Sequence, residues 1–190
     1  MRSEAELSVH IFSTQWGPCA ILLRGEHLAR IYTACGTQKQ LIADIQRRYA
    51  NGLPRIKPSL LPRWAIELTG FLQQYYGDQP GQLVRKASRW PKMERHLDWS
   101  AVGDFDRKVL AVTAGIQWGQ TRTYGQLAAA IGKPGAARAV GAALGRNPWP
   151  VLIPCHRVVG AKGKLTGFSG FGGVLAKKRM LTIEQPSIAG

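Results

Sequence analysis

The chain contains the run Val151-Leu152-Ile153-Pro154-Cys155-His156-Arg157-Val158-Val159, in which a thiol, an imidazole and a guanidinium are consecutive in an apolar stretch. A thiol attacks carbon only as the thiolate, and the pKa of a free cysteine is about 8.5. A neighbouring imidazole can take the proton, directly or through a water, and nearby cationic charge favours the anion. Such a base is commonly fixed through its other ring nitrogen by a third group. Residues 101–190 offer three carboxylates for that task, Asp104, Asp106 and Glu184. The first two open a helical pattern, where the helix dipole already accounts for an acid. Glu184 ends the apolar, basic helical stretch 174–184, where the dipole disfavours an acid, so it invites another explanation. The plainer reading stays open: Cys155 as a small buried hydrophobe, Glu184 as a solvated surface acid.

These residues need elements to hold them. Residues 151–153 read as a short buried strand, which Pro154, unable to donate to a ladder, interrupts just before the cysteine. Upstream, Phe105, Val109, Val112 and Ile116 recur at helical spacing, and Gly119 is expected to end that helix. Thr123 is placed to cap the next one, where Tyr124, Leu127, Ala128 and Ile131 share a face. After the turn Gly132-Lys133-Pro134-Gly135 comes a second helix, 136–144, rich in Ala and Gly. Two short helices joined by a glycine-containing turn form a helix-turn-helix. The small side chains of the second helix either let its backbone approach another surface or pack tightly within the core.

The first half reads differently. Residues 8–33 alternate imperfectly and are expected to form a β-meander with turns at Gly17-Pro18 and Gly25-Glu26. Helices are expected at 41–50 and 64–76. The polar, basic stretch 77–100 reads as a linker, in which Arg85, Lys86, Arg89 and Lys92 are solvated or loosely phosphate-facing. The expected architecture is mixed α/β (α+β). A small strand-rich α/β domain occupies 1–88, with a linker to about 100. A mostly helical domain with a winged-helix-like helix-turn-helix occupies 101–190.

Composition limits the function classes. With 45% hydrophobic and 19% charged residues, the 190-residue chain is that of a folded protein rather than a disordered one. No apolar stretch approaches the roughly 20 residues of a membrane-spanning helix. The start MRSEAELSVH carries two acids and no apolar core, unlike a secretory signal. Three scattered cysteines fit a reducing cytosol, so a cytoplasmic protein is expected, nucleoid-associated if bacterial. Cys19, Cys35, His10, His27 and His96 show no ligand spacing, so neither metal nor cofactor is expected. Lys and Arg number 26 against 11 acids, a net charge of +15. Residues 101–190 carry 12 bases and 3 acids. A polyanion, most commonly nucleic acid, is the natural partner.

Pro154-Cys155-His156-Arg157-Val158, preceded by Arg146-Asn147-Pro148, resembles the active-site signature of the O6-alkylguanine-DNA alkyltransferases, or methylated-DNA–protein-cysteine methyltransferases. The likeness runs from about Phe105 to Glu184. It includes Thr123-Tyr124-Gly125, Pro134-Gly135-Ala136-Ala137-Arg138-Ala139-Val140-Gly141 and Leu165-Thr166-Gly167-Phe168. The first half resembles the family's variable domain only loosely.

The resemblance implies a single-turnover methyltransferase acting on double-stranded DNA containing O6-alkylguanine, and O4-alkylthymine, as a monomer without cofactor. It implies irreversible transfer of the alkyl group to Cys155. His156 would take the thiol proton through a water, and Glu184 would orient His156. Tyr124 would protonate or hydrogen-bond the guanine. Arg138 would fill the stack where the base is extruded, on a helix whose Ala137 and Gly141 lie near the duplex. Asn147 would brace the turn beneath the cysteine, and the Cys155 and Val158 carbonyls would receive the guanine amino group. Arg157 and Ser169 complete the expected contacts with substrate and DNA. The stretch Phe168-Ser169-Gly170-Phe171-Gly172-Gly173 is about two residues longer than the family's usual loop, with Phe168 where a tyrosine is more usual. Two other functions compete: a catalytically silent alkylguanine-DNA binding protein, which the presence of Cys155 argues against, and a cysteine hydrolase, which leaves the basic helix-turn-helix unexplained.

Overall fold

The computed structural model describes residues 6–34, 36–77, 93–168, 170 and 172–184. Ser169, Cys35, Arg85, Lys86, Arg89, Lys92 and most of the expected linker lie outside the described residues. The chain divides into two compact units, Met1–Asp98 and Trp99–Gly190, and the architecture is mixed α/β.

In the first unit, β1 (Leu7–Thr14), β2 (Gly17–Arg24) and β3 (His27–Tyr32) form an antiparallel meander. Its first turn is Gln15-Trp16 rather than Gly17-Pro18. Gly17 pairs with Thr14 and Pro18 with Ser13, so both already belong to β2. The second turn is Gly25-Glu26, as the sequence suggests. Alternation is imperfect because the central strand is covered on both faces, as its continuous apolar run requires: Cys19, Ala20, Ile21, Leu22 and Leu23 are all buried. Ala20 and Leu22 pack with Val9 and with Leu41 and Ile45 of α1 (Gln38–Arg48). That helix starts three residues earlier than its apolar pattern, because Thr37 and Gln40 form a capping box. Helix α2 (Arg63–Tyr75) packs against β1.

In the second unit, α3 (Asp104–Ala114) ends at Gly115, not at Gly119. The chain turns there to bury Ile116 and to present its carbonyl to Arg157, a group that a continued helix would have consumed. Two-residue strands β4 (Arg122–Thr123) and β5 (Val158–Val159) pair in parallel. Helices α4 (Tyr124–Ala130) and α5 (Ala137–Gly145) form the helix-turn-helix. Thr123 caps α4: its hydroxyl accepts from the Gln126 amide at 3.1 Å, and the Gln126 side chain accepts from the Thr123 amide at 2.7 Å. Small residues of α5 face both ways. Val140, Ala143 and Leu144 are buried, whereas Arg138, Ala139, Ala142 and Gly145 are exposed. Helix α6 (Gly173–Glu184) buries Lys177, Met180 and Glu184 along one face.

Candidate active site

Residues 151–153 are buried but form a turn, not the expected strand. Their one ladder contact is an isolated bridge from Pro150 to Ile153, and Val151 adopts a φ of 74°. Pro154 then sits at the centre of an inverse γ-turn, with φ −80° and ψ 64°, and the Cys155 amide donates to the Ile153 carbonyl at 2.8 Å. Proline's ring pre-sets that φ. Cys155, His156 and Arg157 follow as a 3₁₀ turn leading into β5. Pairing of β5 with β4 brings the start of α4, and so Tyr124, to the same region.

Asn147 holds the turn from below. Its amide donates to the Ile153 carbonyl at 2.9 Å, and its carbonyl accepts from the Trp149 amide at 3.0 Å. Burial pushes the Cys155 thiol above its ordinary pKa, opposed by Asn147 and by the charge of Lys177. The resting group is therefore a thiol, and reaction needs a base.

His156 is fully buried, and its Nε2 lies 2.8 Å from Glu184 Oε1. Burial lowers the pKa of the imidazole, against the pull of Glu184 and with help from the Arg157 and Lys177 cations. A carboxylate only accepts, so the neutral ring donates from Nε2 and its Nδ1 is the acceptor. Burial alone would raise the Glu184 pKa, but hydrogen bonds from His156 and Arg157 hold it at about 2.

Arg157 requires a correction. It is buried, with only 6% of its surface exposed, so it is not a contact for DNA. Its Nε and Nη2 donate to both Glu184 oxygens, at 2.6 and 3.0 Å, and its Nη1 donates to the Ile116 carbonyl at 2.6 Å. Its guanidinium carbon lies 5.7 Å from the centre of the Trp118 ring.

Lys177 was not among the expected site residues. Fully buried, it donates to the carbonyls of Val158 at 2.6 Å, Thr166 at 3.1 Å and Gly167 at 3.4 Å. Burial lowers its pKa, opposed by Cys155. The one available signal was its spacing: Lys177 lies three residues before Met180 and seven before Glu184, on one helical face. Its bond to Val158 occupies one of the two lone pairs of the carbonyl expected to meet guanine.

Tyr124 donates its hydroxyl to the Thr166 carbonyl at 3.1 Å, and burial raises its pKa, so it stays protonated. A Cβ added at Gly141 would lie 3.7 Å from its ring, an ordinary contact, so internal packing does not require glycine there. Ala137 is half-buried at the start of α5. Arg138 is exposed and forms no ion pair among the described residues. The structure thus gathers Cys155, His156, Glu184, Asn147, Tyr124 and Val158, places Ala137, Arg138 and Gly141 on α5, and reassigns Arg157. Among the described residues no three His, Cys, Asp or Glu side chains gather as a metal site, and no helix is long and apolar enough to cross a membrane.

Residues 104–186 match the DNA-binding domain of 6-O-methylguanine DNA methyltransferase. A methylated-DNA–protein-cysteine methyltransferase of Mycobacterium bovis is 50% identical over 82 residues, which are 43% of this chain and 48% of that protein. The match thus spans about half the length of that relative. The crystal structure of a variant Mycobacterium tuberculosis O6-methylguanine methyltransferase aligns over 97% of this chain and 96% of its own, at 29% identity and a TM-score of 0.68. The Mycobacterium tuberculosis OGT in complex with DNA aligns over 93% and 92%, at 25% identity and a TM-score of 0.54. The cysteine turn, its buried acid–base pair and the helix-turn-helix all lie in the matched segment, so residues 104–186 form a DNA-binding domain of the 6-O-methylguanine DNA methyltransferase type.

Proposed function

We propose that this chain repairs O6-alkylguanine in double-stranded DNA by a single, irreversible transfer of the alkyl group to Cys155. The observation that carries this reading is the buried series Cys155, His156 and Glu184 within the segment that matches the family. An alkyl carbon on O6 is out of reach inside a duplex, so the nucleotide is flipped out. His156 takes the Cys155 proton through a water, and Glu184 orients His156. The Cys155 Sγ–carbon bond forms as the carbon–O6 bond breaks, and the electron pair returns to guanine. Tyr124 supplies the guanine with a proton or hydrogen bond, and the Cys155 and Val158 carbonyls receive its amino group. Ser169 is the proposed loop contact to O6. Arg138 enters the stack vacated by the base, and the exposed small side chains of α5, with Ala137 and Gly141, let that helix lie close to the duplex. The basic character of residues 101–190 supplies phosphate attraction independent of sequence.

Mass spectrometry after mixing with duplex DNA containing O6-methylguanine tests the reading. One methyl group is expected on the Cys155 peptide, and none in Cys155→Ala, which still binds DNA because the small thiol contacts no phosphate. Binding without a mass increase in the wild type would make this a silent alkylguanine-binding protein. Arg138→Ala is expected to slow repair of duplex far more than reaction with free O6-methylguanine, which needs no flipping. Equal slowing on both substrates would remove Arg138 from base extrusion.

A further inference from the structure

Arg157 stands out in the second unit because it is a buried guanidinium engaged on three sides. Both of its carboxylate-facing nitrogens bond Glu184, its third nitrogen bonds the Ile116 carbonyl, and the Trp118 ring lies beside it. A planar fork that meets both carboxylate oxygens fixes the plane of the carboxylate as well as its charge. Oε1 of Glu184 is shared, accepting from Arg157 Nη2 at 3.0 Å and lying 2.8 Å from His156 Nε2. The tether to Ile116 ties that geometry to the end of α3.

Arg157 and Glu184 cancel, so His156 faces a neutral pair. Protonating the ring would then place a net positive charge in a buried site that also holds Lys177. Without Arg157, the lone Glu184 carboxylate would favour an imidazolium, which cannot accept the thiol proton. We propose that Arg157 is a positioning residue that keeps His156 a neutral base, protonated on Nε2, by neutralising and orienting Glu184. The inference rests on the alkyl-transfer reading, with His156 as base. The charged groups that act on His156 are Glu184 and Lys177 on α6 and Arg157 beside it in the turn, and the adjacent Cys155 belongs to the same cluster. The low pKa of His156, set first by burial and lowered further by Arg157 and Lys177, agrees.

The test uses Arg157→Lys, Arg157→Gln and the double variant Arg157→Gln/Glu184→Gln. Two readouts are taken: the pH dependence of methyl transfer from duplex O6-methylguanine, and the ¹⁵N signals of the His156 ring. Arg157→Gln is expected to move the acidic limb of the rate profile up by about one pH unit, giving roughly tenfold slower transfer at pH values below both limbs. Its ring becomes an imidazolium at a higher pH than in the wild type. Arg157→Lys keeps the charge, so its acidic limb stays in place even if the plateau drops. The double variant removes both charges and returns the limb to the wild-type position. Unchanged limbs and ring signals in all three would overturn the proposal, as would a wild-type ring that is an imidazolium at pH 7. If Arg157→Gln does not fold, the wild-type and double-variant ring spectra decide. The ring signals need no substrate, so a wild type without transfer activity would refute the alkyl-transfer reading and leave this one measurable.

Discussion

The interiors of the two units are built from different materials. In the first, the sheet buries Ala20, Ile21, Leu22 and Leu23 almost completely, and α1 adds Leu41 and Ile45. In the second, His156, Arg157, Lys177 and Glu184 are buried, as are Val140, Trp149 and Val158. Apolar burial stabilises by about 25 cal/mol per Å², so the first interior needs no function to explain it. Buried charges lose hydration worth several kcal/mol each and recover it only through close pairing. A unit selected for stability alone would not hold four ionisable side chains so close together. The second interior is therefore organised around chemistry, and its groups hold one another in the states that chemistry needs.

The largest effect should come from opening a cavity in the apolar interior. Leu22→Ala is expected to destabilise the first unit by about 2–5 kcal/mol, read as faster amide hydrogen exchange across Leu7–Thr14 and Gly17–Arg24. Lys177→Met should cost the second unit less, within about 2 kcal/mol. Three carbonyls lose a donor, at about 1–3 kcal/mol each at most, but a buried charge disappears. If the lysine change proves the costlier of the two, the contrast between the interiors fails.

An intermediate effect is expected from acid. Glu184 has a folded pKa of about 2 against an ordinary 4.5. As pH falls, the unfolded chain takes up that proton first. The stabilisation, about 3 kcal/mol, is therefore complete above about pH 4.5 and lost as pH approaches 2. His156 works in the same direction from higher pH, because burial holds it below its ordinary 6.5 and the unfolded state again protonates first. Urea midpoints of the second unit should thus begin to fall below about pH 6.5 and drop further below 4.5. In Glu184→Gln the lower part should flatten, although the variant is less stable at pH 7 because Arg157 keeps a buried charge. An identical lower part in both proteins would show that Glu184 is not the titrating group.

Much of this was legible in residue spacing. Thr123 announced the start of α4, the short apolar runs announced the meander, and the motif around Cys155 pointed to the site. What escaped detection depends on burial and backbone angle, which residue type does not encode. Arg157 in a basic chain reads as a surface cation, and only the fold turns it inward to Glu184. Lys177 lies in the stretch Ala176-Lys177-Lys178-Arg179, where a solvated side chain is the default, yet it shares the buried face of Met180 and Glu184. Three apolar residues cannot distinguish a strand from a buried turn, so 151–153 read as a strand. Helix α3 stops four residues before the glycine that should have ended it, because Ile116 is needed in the core and its carbonyl by Arg157.

The smallest effect concerns two valines that sharpen the contrast. Val9 in β1 and Val151 before the cysteine turn are buried alike, with 3% and 2% of their surfaces exposed. Replacing either with glycine removes the same three carbons, at about 1.5–3 kcal/mol. In β1, Val9 pairs with Leu22, and glycine there also costs roughly 0.5–1 kcal/mol of backbone freedom. At Val151 the φ of 74° is one that a β-branched residue occupies only under strain of about 1–3 kcal/mol, which glycine releases. The first unit assigns such angles to glycines, as at Gly25, where φ is 57°. Val9→Gly is therefore expected to cost about 2–4 kcal/mol, and Val151→Gly to stay within about 1 kcal/mol of wild type, each measured by denaturant unfolding of its own unit. The same relaxation should loosen the turn whose Ile153 carbonyl accepts from Asn147 and Cys155, so Val151→Gly should slow methyl transfer modestly despite its near-neutral stability. Equal stability losses for the two valines would mean that the turn before Cys155 stores no strain, and the rigidity of the nucleophile would then have to come from Asn147 and Pro154 alone.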